Sequence, residues 1–158
     1  MRLELRPGVR ICESGTGSGS LSTSITKAIM PTGHLFTFEF NENRVTQARD
    51  DFARMGFGQY VTVTHRDVLS LGFELEAVEN DSVGGVTEGS MDAVFIDLPK
   101  PHIVVPHAFK VLRRKGKVCN FSPCIEQVQK ASQEMARLGF YNIMTIECLS
   151  RQMNTKKL

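Results

Sequence analysis

Three glycines and four carboxylates carry the chemistry that this 158-residue sequence offers. Gly15, Gly17 and Gly19 alternate with single residues, behind an apolar run that starts at Arg10 and ahead of Leu21–Ile29, a run spaced like a helix. That order reads as strand, tight turn, helix. Glycines in such a turn let the backbone approach a ligand closely and take dihedrals that a Cβ forbids. The helix behind them points its free N–H groups and positive dipole end into the turn. A nucleotide-like ligand suits this arrangement; a glycine-rich loop that binds nothing is the alternative.

The spacing narrows the choice. A dinucleotide fingerprint reads G-x-G-x-x-G, whereas this stretch reads Glu13-x-Gly15-x-Gly17-x-Gly19. The acidic residue two positions before the first glycine resembles motif I of the class I S-adenosylmethionine methyltransferases. In that family the turn wraps the methionine and ribose of the cofactor rather than a pyrophosphate.

The other carboxylates follow the same geometry. In a doubly wound sheet the ligand lies beyond the carboxyl ends of the strands, at the switch point beside the first strand. Glu39, 20 residues after Gly19, falls where a carboxylate grips ribose hydroxyls; a solvated strand-end acid is the alternative. Asp67 either reaches an adenine amino group, with Val68 offering its N–H and a methyl face to the ring, or caps the segment that follows. Arg44 either closes over the cofactor or pairs with Glu42 or Asp50 on its own helix. Asp97 emerges from Ala93–Ile96 and is followed by Pro99 and Pro101, which keep the chain extended. It is the candidate for chemistry, with a cap on the next helix as the alternative.

These positions presuppose a definite order of elements. Met1–Arg6 reads as the end of a helix, and Pro7–Gly8 as a turn. Strands are predicted at His34–Phe40, Val61–Asp67, Met91–Asp97, Lys117–Phe121 and Tyr141–Leu149, after the first one. Helices are predicted over Asn41–Met55, His102–Leu112 and Pro123–Leu138, with Gly56 and Gly139 as stops. Glu74–Ser90 reads as an inserted, mobile surface loop. The Lys110–Lys117 cluster places cations at a helix C-terminus, with Gly116 as its stop. Strands alternating with helices imply α/β architecture, a Rossmann-like, doubly wound and mostly parallel sheet, in a single domain over residues 1–158.

Composition excludes little but points in one direction. Apolar residues make up 41%, ordinary for a globular chain. No run has the length of a membrane span, and the N-terminus lacks the apolar core of a signal peptide. The four cysteines have no paired spacing, so neither a zinc site nor a disulfide framework is expected. They read as reduced, mostly buried thiols of the cytosol or nucleus. The net charge of +2 is small for a chain that binds nucleic acid alone.

Four stretches together resemble the catalytic subunit family of the eukaryotic tRNA (adenine-N1)-methyltransferases, which modify an adenine in the tRNA T-loop. They are Cys12–Ser20, Phe38–Phe40, Asp97–Pro99 and the run Phe121-Ser-Pro-Cys-Ile-Glu-Gln-Val-Gln129, the last being the most specific. The resemblance covers nearly all of the chain except Glu74–Ser90. It implies an S-adenosyl-L-methionine site at Glu13, Gly15, Gly17, Ser18, Gly19, Ser20, Glu39, Arg44, Asp67, Val68 and Asp97, with Asp97 also facing the acceptor base. It further implies tRNA as substrate, a nuclear location, and a paralogous non-catalytic tRNA-binding subunit in a heterotetramer, with no metal and no membrane. Members of the family begin with a further β-rich domain and end with a strand inserted antiparallel into the sheet. Neither is read here, so the resemblance implies a core truncated at both ends, with the last strand missing.

Two rival functions follow from other classes. An NAD-dependent oxidoreductase would need the G-x-G-x-x-G register and a hydride-handling constellation such as Tyr-x-x-x-Lys, which the sequence lacks. An inactive short form or assembly subunit would need no intact Glu13, Glu39 and Asp97. A methyltransferase acting on another RNA or on a small molecule is the remaining alternative.

Overall fold

The computed structural model describes residues 3–77 and 83–149. Its centre is β1 (Arg10–Ser14) and β2 (His34–Glu39), followed outward by β3 (Val61–His65) on one side and β4 (Met91–Ile96) and β5 (Leu112–Asn120) on the other. The order β3-β2-β1-β4-β5 is parallel at every pairing. Sequence alternation sorts the two faces. Cys12, Phe36, Phe38, Val94 and Ile96 point to one core cluster, and Ile11, Leu35, Val63, Ala93 and Phe95 to the other.

Each cluster is closed by its own helices. Ile25 and Ile29 of α1 (Ser20–Ile29) join Val45, Ala48 and Phe52 of α2 (Glu42–Arg54) on one face. Val68 of the short α3 (Val68–Leu71), four residues of α4 (Pro101–Val111) and Met135 of α5 (Ile125–Arg137) cover the other. Burying one large apolar side chain of this kind contributes about 1.5–3 kcal/mol. A helix on each face is what keeps strands as apolar as β2 out of water. The expected doubly wound α/β fold is therefore present, with its switch point between β1 and β4.

Several expectations are corrected. Leu3–Arg6 is not helical; Glu4 has φ of 52° and donates no turn to a helix. Tyr141–Leu149 forms no strand, and every residue in it is exposed. The segment is apolar enough for a strand, but no neighbour within the described chain supplies its ladder hydrogen bonds, and β5 pairs only with β4. Of the Lys110–Lys117 cluster only Lys110 lies in the last turn of a helix, and Gly116 is not its stop. α4 stops at Val111, and Arg113, Arg114 and Lys115 lie in β5.

The predicted surface loop is partly core. Leu75 and Val86 form an antiparallel bridge, Val86 is buried, and Arg10 Nη2 donates to the Gly85 carbonyl at 2.7 Å. Residues 78–82 of that loop, Met1 and Arg2, and the tail Lys156–Lys157 lie outside the described residues. Of the cysteines, Cys12 is buried and Cys119 half-buried, but Cys124 and Cys148 are exposed, so the thiols are not mostly buried. Among the described residues no helix is long and apolar enough to cross a membrane, and no cluster of His, Cys, Asp or Glu is placed to hold a metal.

Candidate cofactor and acceptor site

β1 delivers the chain into a turn in which each glycine answers a different demand. Gly15 has φ of 89°, and a Cβ there would stand 2.5 Å from the Asp97 carbonyl oxygen. The glycine turn and the end of β4 can touch only because that position lacks a side chain. Gly19, with φ of 72°, caps α1, and a Cβ there would press on the Phe52 ring at 3.3 Å. Gly17 differs from both. Its φ is 55° and a Cβ would meet nothing within 4 Å. The space over Gly17 is open, a cradle that a side chain would fill. α1 carries no side-chain cap and no acidic residue in its first turn, so its positive end is left to whatever enters the turn.

Beneath the turn lies Glu13, 1% exposed. It accepts from the Ser22 hydroxyl at 2.5 Å and the Thr37 hydroxyl at 2.7 Å. Burial pushes its carboxyl up from 4.5 to about 7; the two hydroxyls pull down and the charge of Asp97 pushes further up. Glu13 therefore serves the turn from inside rather than lining a cleft.

Glu39 ends β2 and binds the turn from the other side. Its Oε2 accepts the Gly17 N–H at 3.0 Å and its Oε1 accepts the Asn41 N–H at 3.1 Å. A carboxylate has about four lone-pair sites, so acceptor capacity remains for hydroxyls. Asp67 caps α3, accepting from the Leu69 N–H at 3.0 Å and the Ser70 hydroxyl at 2.6 Å. Gly15, Glu39, Asp67 and Val68 all line one cleft of about 350 Å³ at the carboxyl ends of the strands. Cap and cleft wall are thus the same residue in Asp67.

The remaining predicted residues divide. Gly17, Ser18, Gly19 and Arg44 line a second cleft of about 360 Å³ on the α2 side of the turn. Arg44 pairs with neither Glu42 nor Asp50. Ser20 begins α1 and is exposed, and lines neither cleft. Asp97 follows β4, its N–H donating to the Ser14 carbonyl at 3.1 Å, and its side chain does not cap α4, whose N-cap is Lys100. Partial burial raises the Asp97 carboxyl. The Phe121–Gln129 run is brought alongside it. Phe121 N–H donates to the Ile96 carbonyl at 2.9 Å, and Gln127 Nε2 donates to the Pro99 carbonyl at 2.9 Å.

Residues not among the predicted site positions also line the first cleft. Phe38 and Phe40 flank Glu39, Leu98 and Pro99 follow Asp97, and Arg66 precedes Asp67. Their adjacency to the predicted carboxylates was the available signal. Thr16, Ser22 and Thr37 gave none, because a hydroxyl on a strand or turn is unremarkable until its partner is known.

A five-stranded parallel sheet of this order, with a glycine turn at its switch point, is the fold of the class I S-adenosylmethionine-dependent methyltransferases. Within that class, residues 1–158 match the family described as the tRNA methyltransferase complex GCD14 subunit, and the chain belongs to it. It is 49% identical over 98% of its length to the tRNA (adenine(58)-N(1))-methyltransferase catalytic subunit of Dictyostelium discoideum, of which it covers 47%. For the corresponding subunit of Yarrowia lipolytica the figures are 36%, 98% and 38%. The chain thus spans about half the length of these relatives, or less. Among solved structures, a SAM-dependent O-methyltransferase from Thermotoga maritima superposes with a TM-score of 0.80 at 27% identity, over 95% of this chain and 51% of that one. The tRNA (m1A58) methyltransferase of Aquifex aeolicus shares the fold, with a TM-score of 0.68 at 24% identity, over 86% of this chain and 49% of that one.

Proposed function

We propose that this chain is the S-adenosylmethionine-binding, catalytic part of a tRNA (adenine-N1)-methyltransferase, acting on an adenine in the T-loop. Its family and its curated relatives support the reaction. The observation that carries the reading is the contact between the glycine turn and Asp97, which Gly15 alone permits. It brings the backbone that carries Asp97 against the turn, which supports reading the two as neighbouring parts of one site.

The residues present fit the cofactor. Glu39 offers lone pairs to ribose hydroxyls, and Asp67 and Val68 offer an acceptor and an apolar face to adenine. When bound, S-adenosylmethionine supplies an electrophilic methyl on a sulfonium. N1 of adenine has an in-plane lone pair, so no base has to remove a proton from it, and the methylated product is cationic. Asp97 accepts a hydrogen bond from the N6 amino group, aligns N1 and opposes the developing charge. Its partial burial weakens hydration of its own charge, which strengthens that last effect.

An adenine stacked in folded RNA is swung out of the stack to reach Asp97. A chain with net charge of +2 has little basic surface to spare for the surrounding phosphates. The family resemblance adds a paralogous, non-catalytic subunit that supplies much of that surface, in an assembly of two copies of each, and a nuclear location.

Calorimetry tests the cofactor. The chain is expected to bind S-adenosylhomocysteine and not NADH, and Gly17→Val is expected to abolish binding and to lower the melting temperature, since its Cβ enters open space but its φ of 55° strains a β-branched residue. NADH heat without S-adenosylhomocysteine heat sinks the reading. Tritiated methyl incorporation into unmodified tRNA, with and without the partner subunit, tests the reaction.

A further inference from the structure

We propose that Thr37 is a positioning residue whose hydroxyl, through Thr16 and Glu13, fixes the glycine turn in its cofactor-receiving form; this rests on the cofactor reading given above. Thr37 and Ser22 are fully buried, and Thr16 is 4% exposed. Thr37 Oγ1 has one hydrogen and donates it to Glu13 Oε2 at 2.7 Å. Its 2.7 Å contact with Thr16 Oγ1 must then be a bond that Thr16 donates. The chain of bonds runs from Thr16 to Thr37 to Glu13, and Ser22 donates to the same carboxylate oxygen.

Four segments meet in those few bonds. Thr16 lies inside the turn, Thr37 on β2, Glu13 on β1 and Ser22 on α1. Thr16 also accepts the Gly19 N–H at its carbonyl, at 2.9 Å, so holding its side chain holds the end of the turn that caps α1. Two residues further along β2, Glu39 accepts the Gly17 N–H. β2 therefore grips the turn with two side chains, once from beneath and once from the ligand side, and its Phe38 carbonyl accepts the Gly15 N–H at 2.9 Å. Nothing about the strand itself asks for a hydroxyl at 37, since valine has the same branching and fills a buried strand equally well. Valine would leave the Thr16 hydroxyl without its acceptor and Glu13 with one donor fewer, in a place water does not reach.

The charge acting on Glu13 from outside this network is that of Asp97, beyond β4. It raises the carboxyl, and the Thr37 hydroxyl lowers it. Loss of the hydroxyl therefore has a signature that loss of packing lacks: the Glu13 titration moves upward.

The test uses the full chain and compares Thr37→Val with Thr37→Ser and, from the other side of the bond, Thr16→Val. Amide exchange at Gly15–Gly19, set beside melts that report global stability, is expected to quicken about tenfold in both valine variants and to return within about threefold of wild type in Thr37→Ser. The S-adenosylhomocysteine dissociation constant is expected to rise by about tenfold in step, the scale of one lost hydrogen bond. The Glu13 carboxyl, followed by its carbon resonance, is expected to titrate above wild type in Thr37→Val. Turn amides that exchange at the wild-type rate in both valine variants would overturn the proposal, whatever the binding result. If the wild-type chain binds no S-adenosylhomocysteine but the turn loosens as expected, the cofactor reading falls and the positioning role stands. Thr16→Val keeps the comparison open should Thr37→Val fail to fold.

Discussion

The β1–β2 side of the sheet and the β5–α5 side meet water in opposite ways. On the first, Glu13, Thr16, Ser22, Thr37 and Glu39 are polar, buried and hydrogen-bonded to one another or to the turn. On the second, Phe121, Ile125, Tyr141, Met144, Ile146 and Leu149 are apolar and exposed. Buried polar groups are costly unless every one has a partner, and a satisfied set specifies one arrangement. Exposed apolar groups specify nothing until something covers them. The first side is built to hold a ligand; the second is surface available for association.

Asp97 stands where the two sides meet, and changing it gives the largest expected effect. Asp97→Asn keeps the shape and an acceptor oxygen but removes the charge that opposes a cationic product. With the partner subunit present, single-turnover methylation of tRNA is expected to slow by about 10²–10³-fold, the scale of losing one aligned electrostatic contact. Cofactor affinity should stay within a few fold, because the lost interaction strengthens only in the transition state. Asp97 does not cap α4, so melts should barely move. A near-normal rate would end the case for this residue and remove the meeting point from the comparison.

Next comes Glu13, whose effect is on stability against pH. Its folded carboxyl titrates near 7 against an ordinary 4.5. Between those values the folded state holds a proton that the unfolded state has released. Its contribution is therefore fully present below about 4.5 and is lost as pH rises through about 7. The whole excursion is about 3 kcal/mol, at 1.36 kcal/mol for each pKa unit. Wild type minus Glu13→Gln, by denaturant unfolding from pH 4 to pH 8.5, isolates this part from the other carboxylates. A pH-independent difference would show that the Glu13 carboxyl titrates alike in the folded and unfolded chain and that burial does not raise it.

Legibility divided along the same line. Gly15, Gly17, Gly19, Glu39 and Asp97 could be found from sequence because parallel strands, a turn and strand-end acids follow local spacing rules. Both faces of β1, β2 and β4 alternate as a strand with neighbours on each edge should. Tyr141–Leu149 obeys the same local rules and is not a strand, because pairing is a property of a neighbour and not of the segment. Most of the Lys110–Lys117 cluster departs from the helix for a similar reason: β4 pairs with Leu112 and again from Lys117, and the residues between bulge out of the register. Thr16 and Thr37, 21 residues apart, are joined only by the fold.

Glu39 sharpens the buried side further. Glu39→Ala removes the acceptor of the Gly17 and Asn41 amides as well as the proposed ribose contact. Hydrogen bonds to charged groups contribute about 1.5–3 kcal/mol, so the S-adenosylhomocysteine dissociation constant should rise by roughly one to two decades. Melting should fall with it, unlike in Asp97→Asn. Calorimetry that returns an unchanged dissociation constant makes Glu39 a bystander to the ligand.

The smallest effect on folding belongs to the exposed side. Ile146 and Leu149 are 66% and 75% exposed and contribute to neither core cluster. Replacing both with lysine removes apolar surface without opening a cavity, so folding stability should stay within about 0.5 kcal/mol. Association should respond instead. β5 presents an unpaired outer edge among the described strands, and an exposed edge beside apolar residues such as Phe121 favours contact between copies. Sedimentation velocity over a range of concentrations is expected to show association in wild type and a weaker tendency in Ile146→Lys/Leu149→Lys, with superimposable melts. A wild-type chain that stays monomeric throughout would mean that these residues are ordinary surface, and that only the buried side of the molecule has been selected for contact.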